Sequence, residues 1–328
     1  MAYVGSRGVH LPFRTDDADI VLPALTSAGY LWPATLGTQV NPNVGRIDRL
    51  SFDADSYYHA LQIGVEKKMS HGLQVQGSFT WGKSLDTGSS TIAGYQFSNS
   101  PSSLPVFFAP SVRKGQSDFN LARNLVISGT WEIPGLKSKT GFTGWATNGW
   151  QIGGVLQASS GAPFTVLIGG DPLGMGSTDP FAYPSRLTGP GCGSAVNPSN
   201  PNNYIKLQCF GLPESTPAVA VQCVPYSTDV NSCSNLLGNS GRNALTGPGL
   251  INVDFSLFKN TRITKISETA NLQFRAEMFN IFNHANFAPP LDNNTLFNQD
   301  GTTVGSAGVI DATQTPSRQI QFGLKLIF

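Results

Sequence analysis

The chain has 328 residues, room for one large β domain or two ordinary ones, and a net charge of +1 that offers no electrostatic footing for nucleic acid. Charged residues are only 12% of the chain, about half the usual share, while 36 Gly and 22 Pro are plentiful and hydrophobic content is 40%. That balance disfavours a soluble domain covered with Lys and Glu, and the lack of any run of ~18 apolar residues excludes a helical membrane span.

The amino-terminus, Met1-Ala-Tyr-Val-Gly-Ser, has no basic region followed by an apolar one, so it does not read as a signal peptide. Tyr3-Val-Gly-Ser-Arg-Gly reads as a strand already under way, and residues 2–11 are expected to form it. Residues 13–56 lack sustained periodicity and read as a loop. Residues 57–68 set Leu61, Ile63 and Val65 against Gln62, Gly64 and Glu66. After the turn Met69-Ser-His-Gly72, residues 73–83 set Leu73, Val75, Phe79 and Trp81 against Gln74, Gln76, Ser78 and Thr80. Two alternating runs joined by a short Gly-bearing turn predict a hairpin.

Residues 85–119 are rich in Ser, Gly and Pro and read as loop. A strand at 121–133 places Leu125, Ile127, Trp131 and Ile133 on one face. Another at 149–159 does the same with Trp150, Ile152 and Leu156. Residues 161–249 form a long loop that holds all four cysteines. Strands then follow at 250–259, with Ile251, Val253, Phe255 and Leu257 in line, and at 270–281, with Leu272, Phe274, Ala276 and Met278 in line. The last strand, 318–328, sets Ile320, Phe322, Leu324, Leu326 and Phe328 against Gln319, Gln321, Gly323 and Lys325, with Ile327 breaking the pattern.

Eight alternating segments of about ten residues, separated by alternately long and short connections, fit an antiparallel transmembrane β-barrel wall with short periplasmic turns and long extracellular loops. Several structureless loops above ~15 residues count against a compact soluble domain. Opposite the apolar faces sit Glu66, Glu132, Asp254, Arg275, Glu277 and Lys325, which belong in a wet lumen. Tyr57, Trp81, Trp131, Trp150 and Phe328 lie near strand ends, where they suit the two membrane interfaces. The fold class is therefore all-β, in an open, curved sheet of about eight strands with long extracellular loops. The expected setting is the outer membrane of a Gram-negative-type bacterium, in contact with its lipid.

Several phrases resemble a known family. Tyr58-His-Ala-Leu-Gln-Ile-Gly-Val-Glu-Lys-Lys and Gly72-Leu-Gln-Val-Gln-Gly-Ser-Phe-Thr-Trp-Gly-Lys-Ser look like paired strands of TonB-dependent outer-membrane receptors of the Oar-like group. Gly149-Trp-Gln-Ile-Gly-Gly, Ser160-Gly-Ala-Pro-Phe164, Gly241-Arg-Asn-Ala-Leu-Thr-Gly-Pro-Gly249, Asp254-Phe-Ser-Leu-Phe-Lys259 and Phe274-Arg-Ala-Glu-Met-Phe-Asn-Ile-Phe-Asn-His284 are similar to other strand ends of that family. The resemblance covers residues 3 to 328 as the carboxy-terminal part of a larger plugged barrel. It implies energised transport of a bulky substrate held by the extracellular loops, with the TonB complex acting through a plug that this chain lacks. The closing strand, ending on Phe328, resembles the signal read by the barrel-assembly machinery. A soluble or surface-attached β-rich adhesin and a small passive porin, closed by residues 2–11 pairing with 318–328, are the alternatives.

Chemistry finds little footing. Cys192, Cys209, Cys223 and Cys233 lack paired zinc-knuckle spacing and read as two disulfides, with sequential pairing the expectation among three connectivities. His59 beside Asp55, and His284 in Asn283-His-Ala-Asn286, read as strand-end polarity rather than catalysis. Gly169-Gly-Asp-Pro-Leu-Gly174 lacks the Lys and following helix of a phosphate loop, and Asp16-Asp-Ala-Asp19 lacks spaced calcium ligands. No enzyme activity, metal site or cofactor is expected.

Overall fold

The computed structural model describes residues 1–15, 18–35, 39–45, 47–89, 108–135, 141–175, 182–263, 267 and 269–328. Eight long strands carry the wall: β1 Ala2–Thr15, β2 Arg49–Ser70, β3 Leu73–Asp86, β4 Arg123–Glu132, β5 Trp150–Ser159, β6 Leu250–Arg262, β7 Asn271–Phe279 and β8 Gln319–Ile327. Each pairs antiparallel with the next in sequence, an up-and-down meander, and the short strand Gly115–Gln116 adds to the end of β3. The sheet is open: β1 and β8 each leave one edge unpaired.

The strands fall where the alternation placed them, but the first hairpin runs further than its sequence signal. β1 continues to Thr15 and β2 begins at Arg49, inside the span read as loop. Register shifts interrupt their pairing between Gly8 and Leu11 and between Leu11 and Phe13, with His10 in the left-handed region at φ 55°. A bulge breaks period two, so an alternation reading stops there. The β2–β3 turn needs two consecutive positive φ values, and His71 (54°) and Gly72 (78°) supply them. A Cβ on residue 72 would also stand 2.7 Å from the Glu132 carbonyl oxygen.

Cross-strand register assigns the faces. One row runs Val65–Gly77–Ile127–Leu156–Val253, and another Leu73–Trp131–Ile152–Leu257–Ala276–Phe322. The opposite face carries Glu66–Gln76–Ser128–Val155–Asp254 and Glu132–Gln151–Phe258–Arg275–Gly323. All six charges expected in a lumen share that polar face. The aromatic residues Tyr57, Trp81, Trp131 and Trp150 share the apolar one, on which Trp81 and Phe322 are exposed to the surroundings. Lys259 is the exception: it pairs with Trp150 and Phe274 and so lies in an apolar row.

Among the described residues, the largest fully buried side chains lie outside the wall. They gather where the long connections meet, in three adjoining cores. The first unites Ile20, Trp32, Ile168, Leu173, Tyr183 and Tyr226. The second unites Phe164, Val166, Tyr204, Ile205, Phe210 and Leu296, and the third joins Leu31, Val219, Cys233 and Leu236. The described residues of the 161–249 span, read as a loop, are thus largely folded. Their order comes from contacts distant in sequence, with short two-residue strands at Pro163–Phe164, Leu167–Ile168, Ser185–Arg186, Phe210–Gly211 and Leu245–Thr246.

The face assignment gives a paired test. Ile127→Arg on the apolar face should lower stability in phospholipid vesicles by about 2–4 kcal/mol, whereas Ser128→Arg on the polar face should change it little. Equal urea midpoints for the two variants would refute the assignment.

Candidate functional site at the loop-capped mouth

The candidate site is the cap over the end of the wall from which the long connections leave. Its anchor is Arg242, whose guanidinium is buried between two carboxylates. Arg242 donates to Asp86, on the polar face at the end of β3, and through Nη1 to Asp118 Oδ1 at 3.3 Å. Nε donates to the Arg113 carbonyl at 2.8 Å, and Nη2 to the Asp86 carbonyl at 2.8 Å. One side chain therefore ties the 161–249 segment to β3 and to the 108–122 connection.

Asn243 continues the tie in a left-handed conformation, φ 52°. Its Nδ2 donates to the Gln116 carbonyl (2.7 Å) and to Asp118 Oδ1 (2.5 Å), and its backbone N–H donates to Thr165 Oγ1 (2.9 Å). Asn235 does the same in the next core, donating to the Trp32 and Gln222 carbonyls at 2.7 and 2.9 Å and accepting from the Val224 N–H at 2.8 Å. Beside β2, the Arg113 guanidinium lies 4.1 Å from the Phe13 ring centroid and pairs with Asp53 at 3.1 Å. A charge buried as completely as that of Arg242 is held where several hydrogen bonds replace water.

At the other side of the mouth, Asn280 (φ 48°) ends β7 and clamps the final connection. Its Nδ2 donates to the His284 and Pro316 carbonyls, at 2.9 and 3.1 Å, while its N–H donates to Asp254 Oδ1 at 2.9 Å. Tyr204, under the cap, donates its hydroxyl to the Thr246 carbonyl at 2.8 Å, and burial pushes its pKa up to about 12.

Cys192 and Cys209 are joined in a disulfide. Cys223 and Cys233, expected as a second bridge, are instead two thiols: Cys223 Sγ donates to the Ser232 carbonyl and Cys233 Sγ to Asn235 Oδ1, both at 3.3 Å. The two thiols are neighbours, with Cys223 in hydrogen-bond reach of Cys233. Ile320, Phe322, Leu324 and Leu326 line the apolar side of β8, paired with Met278, Ala276, Phe274 and Leu272, and Phe328 follows the strand's last residue. The Phe274 and Phe322 rings stack at 6.2 Å.

The histidines meet polar neighbours at strand ends and turns, His71 Nδ1 lying 3.2 Å from the Ser70 hydroxyl in the exposed β2–β3 turn. His59 Nδ1 shares a 2.6 Å hydrogen bond with the Tyr3 hydroxyl, and His284 Nδ1 one of 3.0 Å with Asn286 Oδ1. In the 169–174 glycine-rich stretch, Asp171 Oδ1 accepts from the Met175 N–H at 2.8 Å, and Leu173 enters a core. Asp16 and Asp17 lie outside the described residues; Asp19 is buried and accepts from the Asn41 N–H at 3.2 Å. The Arg242 cluster escaped sequence reading. Its signal was the Gly241-Arg-Asn phrase, one of three cations, with Arg186 and Lys206, in a connection poor in charge.

A family model described as outer membrane beta barrel domain matches residues 1–321. The chain belongs to that family. No curated protein and no solved structure matches it. Membership places the barrel in the bacterial outer membrane, with the apolar rows against lipid and the polar rows inside.

Removing Arg242 strands two buried carboxylates, a loss of about 3–5 kcal/mol for a buried pair broken on one side. Arg242→Ala should therefore expose the 161–249 segment to trypsin while the wall keeps its heat-modifiable migration; unchanged protease resistance would show that the cluster does not hold the cap. Burial raises the Cys233 pKa, with the neighbouring Cys223 thiol adding to the shift, so little of the reactive thiolate exists near neutral pH. Iodoacetamide at pH 8 should label Cys233 far more slowly in the folded than in the denatured protein. Absence of labelling after denaturation without reductant would mean that a second bridge exists.

Proposed function

We propose that this outer-membrane barrel is wall and cap of a TonB-dependent receptor of the Oar-like group, taking up a bulky substrate that the cap binds from outside. The observation that carries the reading is a cap of interlocked long connections standing over a wall whose inward face mixes small residues with charged and amide side chains such as Glu66, Gln76, Glu132 and Arg275. Gly64, Ser78, Ser128, Thr130, Gly153 and Ser256 all face inward. A closed barrel of eight strands fills its interior with side chains, whereas larger barrels enclose a plugged lumen. An inward face of small, amide and charged residues suits a polar lumen of the second kind, with further strands continuing the wall from the free edges of β1 and β8.

In this reading the barrel-assembly machinery inserts the wall using the closing strand and Phe328. The TonB complex then acts on a plug in the parent receptor, not on the wall. A passive pore closed by β1 against β8 is the rival. Antibody raised against residues 161–249 should detect, in native outer membranes, a species far larger than 34.9 kDa that crosslinks to TonB when the inner membrane is energised. A species near 34.9 kDa that conducts ions steadily in planar bilayers without TonB would overturn the proposal in favour of the passive pore.

A further inference from the structure

Lys259 breaks the face rule of the wall, and the way it is accommodated marks a second surface. It occupies the apolar row between Trp150 of β5 and Phe274 of β7, yet it is only 8% exposed. A bare lysine facing lipid at the midplane would cost about 2–4 kcal/mol, falling toward zero at the interfaces. Here the β4–β5 connection folds over it. The helix Gly141–Thr147 lies against the outer face with its carboxy-terminal end on Lys259, whose Nζ donates to the Trp145 carbonyl at 2.5 Å and to the Asn148 carbonyl. Trp150 secures the same end, its indole N–H donating to the Ala146 carbonyl at 2.7 Å. The ammonium sits 5.7 and 5.4 Å from the rings of Trp145 and Trp150.

What the helix turns outward is apolar. Phe142 is 79% exposed and Trp145 54%, with their rings 5.5 Å apart. These two residues extend the lipid-facing surface of Trp131 and Trp150 past the end of the strands, on the side of the short turns, which barrels place toward the periplasm. Beside the helix is a cavity of about 1200 Å³, bordered by the His71–Gly72 turn and by the ends of β4, β6 and β7. Lys259 lines it from the apolar row, and Glu132 and Arg262 line it from the polar face, so it sits at the rim of the wall where the two faces meet.

We propose that the Gly141–Thr147 helix is a membrane-interface anchor that beds Phe142 and Trp145 among the head groups of the periplasmic phospholipid leaflet, with Lys259 fixing it to the wall. Aromatic side chains favour that depth because a flat apolar ring and a polar neighbourhood are both satisfied there. The anchor rests on the outer-membrane placement of the barrel, not on the transport it performs.

Tryptophan quenching separates the two. The protein is refolded into vesicles of phosphatidylethanolamine and phosphatidylglycerol carrying bromine either near the glycerol backbone or near the chain ends. The emission lost in Trp145→Phe, compared with wild type, should be quenched by shallow bromine and spared by deep bromine. The emission lost in Trp131→Phe reports the wall itself. If the Trp131 component is quenched and the Trp145 component is not, the wall is inserted and the anchor is disproved. Deep quenching of Trp145 places the helix in hydrocarbon and equally disproves it. Quenching of neither overturns the membrane placement, and the anchor with it.

Discussion

Inside hydrocarbon no water is available to satisfy a backbone N–H or C=O, and that constraint organises this protein. It requires neighbouring strands in continuous pairing, which the meander from β1 to β8 provides along seven interfaces. Once the backbone is committed to a sheet, period two forces every residue to choose lipid or lumen. The apolar rows through Ile127 and Leu257 and the polar rows through Ser128 and Glu132 follow from that choice alone. The same constraint makes the unpaired edges of β1 and β8 costly in a bilayer, because each presents alternate backbone groups with nothing to bond. The wall is complete only when those edges are paired.

Stability of the conventional kind is concentrated elsewhere. The wall has almost no interior of its own, since one face meets lipid and the other a lumen lined largely by polar side chains. The buried aromatic and aliphatic residues lie in the cap, where segments far apart in sequence meet: Trp32 receives Asn235, and Arg242 receives Asp86 and Asp118. Burying Arg242 gives little net energy by itself, because desolvation offsets much of the attraction. What it supplies is registry. A carboxylate at the end of β3 and another from the 108–122 connection converge on one guanidinium, and few other arrangements of these segments would leave all three groups satisfied.

The difference between wall and cap explains what the sequence could disclose. Strand positions were legible because lipid and lumen impose alternation locally; Leu61, Ile63 and Val65 need no distant partner to identify their strand. The hairpin of β1 and β2 was under-read where bulges near His10 and the charges Asp53 and Asp55 disturb the alternation. The cap was illegible as structure, since its short strands are two residues long and its cores join residues up to two hundred positions apart. Phrases such as Gly241-Arg-Asn could be noticed but not interpreted, because their partners Asp86 and Asp118 are neighbours only after folding. The cysteines show the same limit: parity suggested two bridges, and the structure joins Cys192 to Cys209 while leaving Cys223 and Cys233 as neighbouring thiols.

Lys259 shows how an exception to the local rule acquires a structure around it. A charge in an apolar row has three routes to a tolerable state: reaching water, pairing with an acid, or being covered by dipoles and aromatic faces. The register leaves no carboxylate beside it, and Trp150 and Phe274 flank it across both neighbouring strands. The third route needs a segment long enough to return over the outer face, and the β4–β5 connection is the longest of the turn-side links. Its helix ends with carbonyls free of intrahelical donors, the negative end of a peptide dipole array, and the ammonium meets them there. The lysine thus determines where the helix docks, and the docked helix determines which aromatic residues face the membrane at that end of the wall. An alternation reading could assign Lys259 to the outer face, but only the folded connection shows why a cation is tolerated in that position.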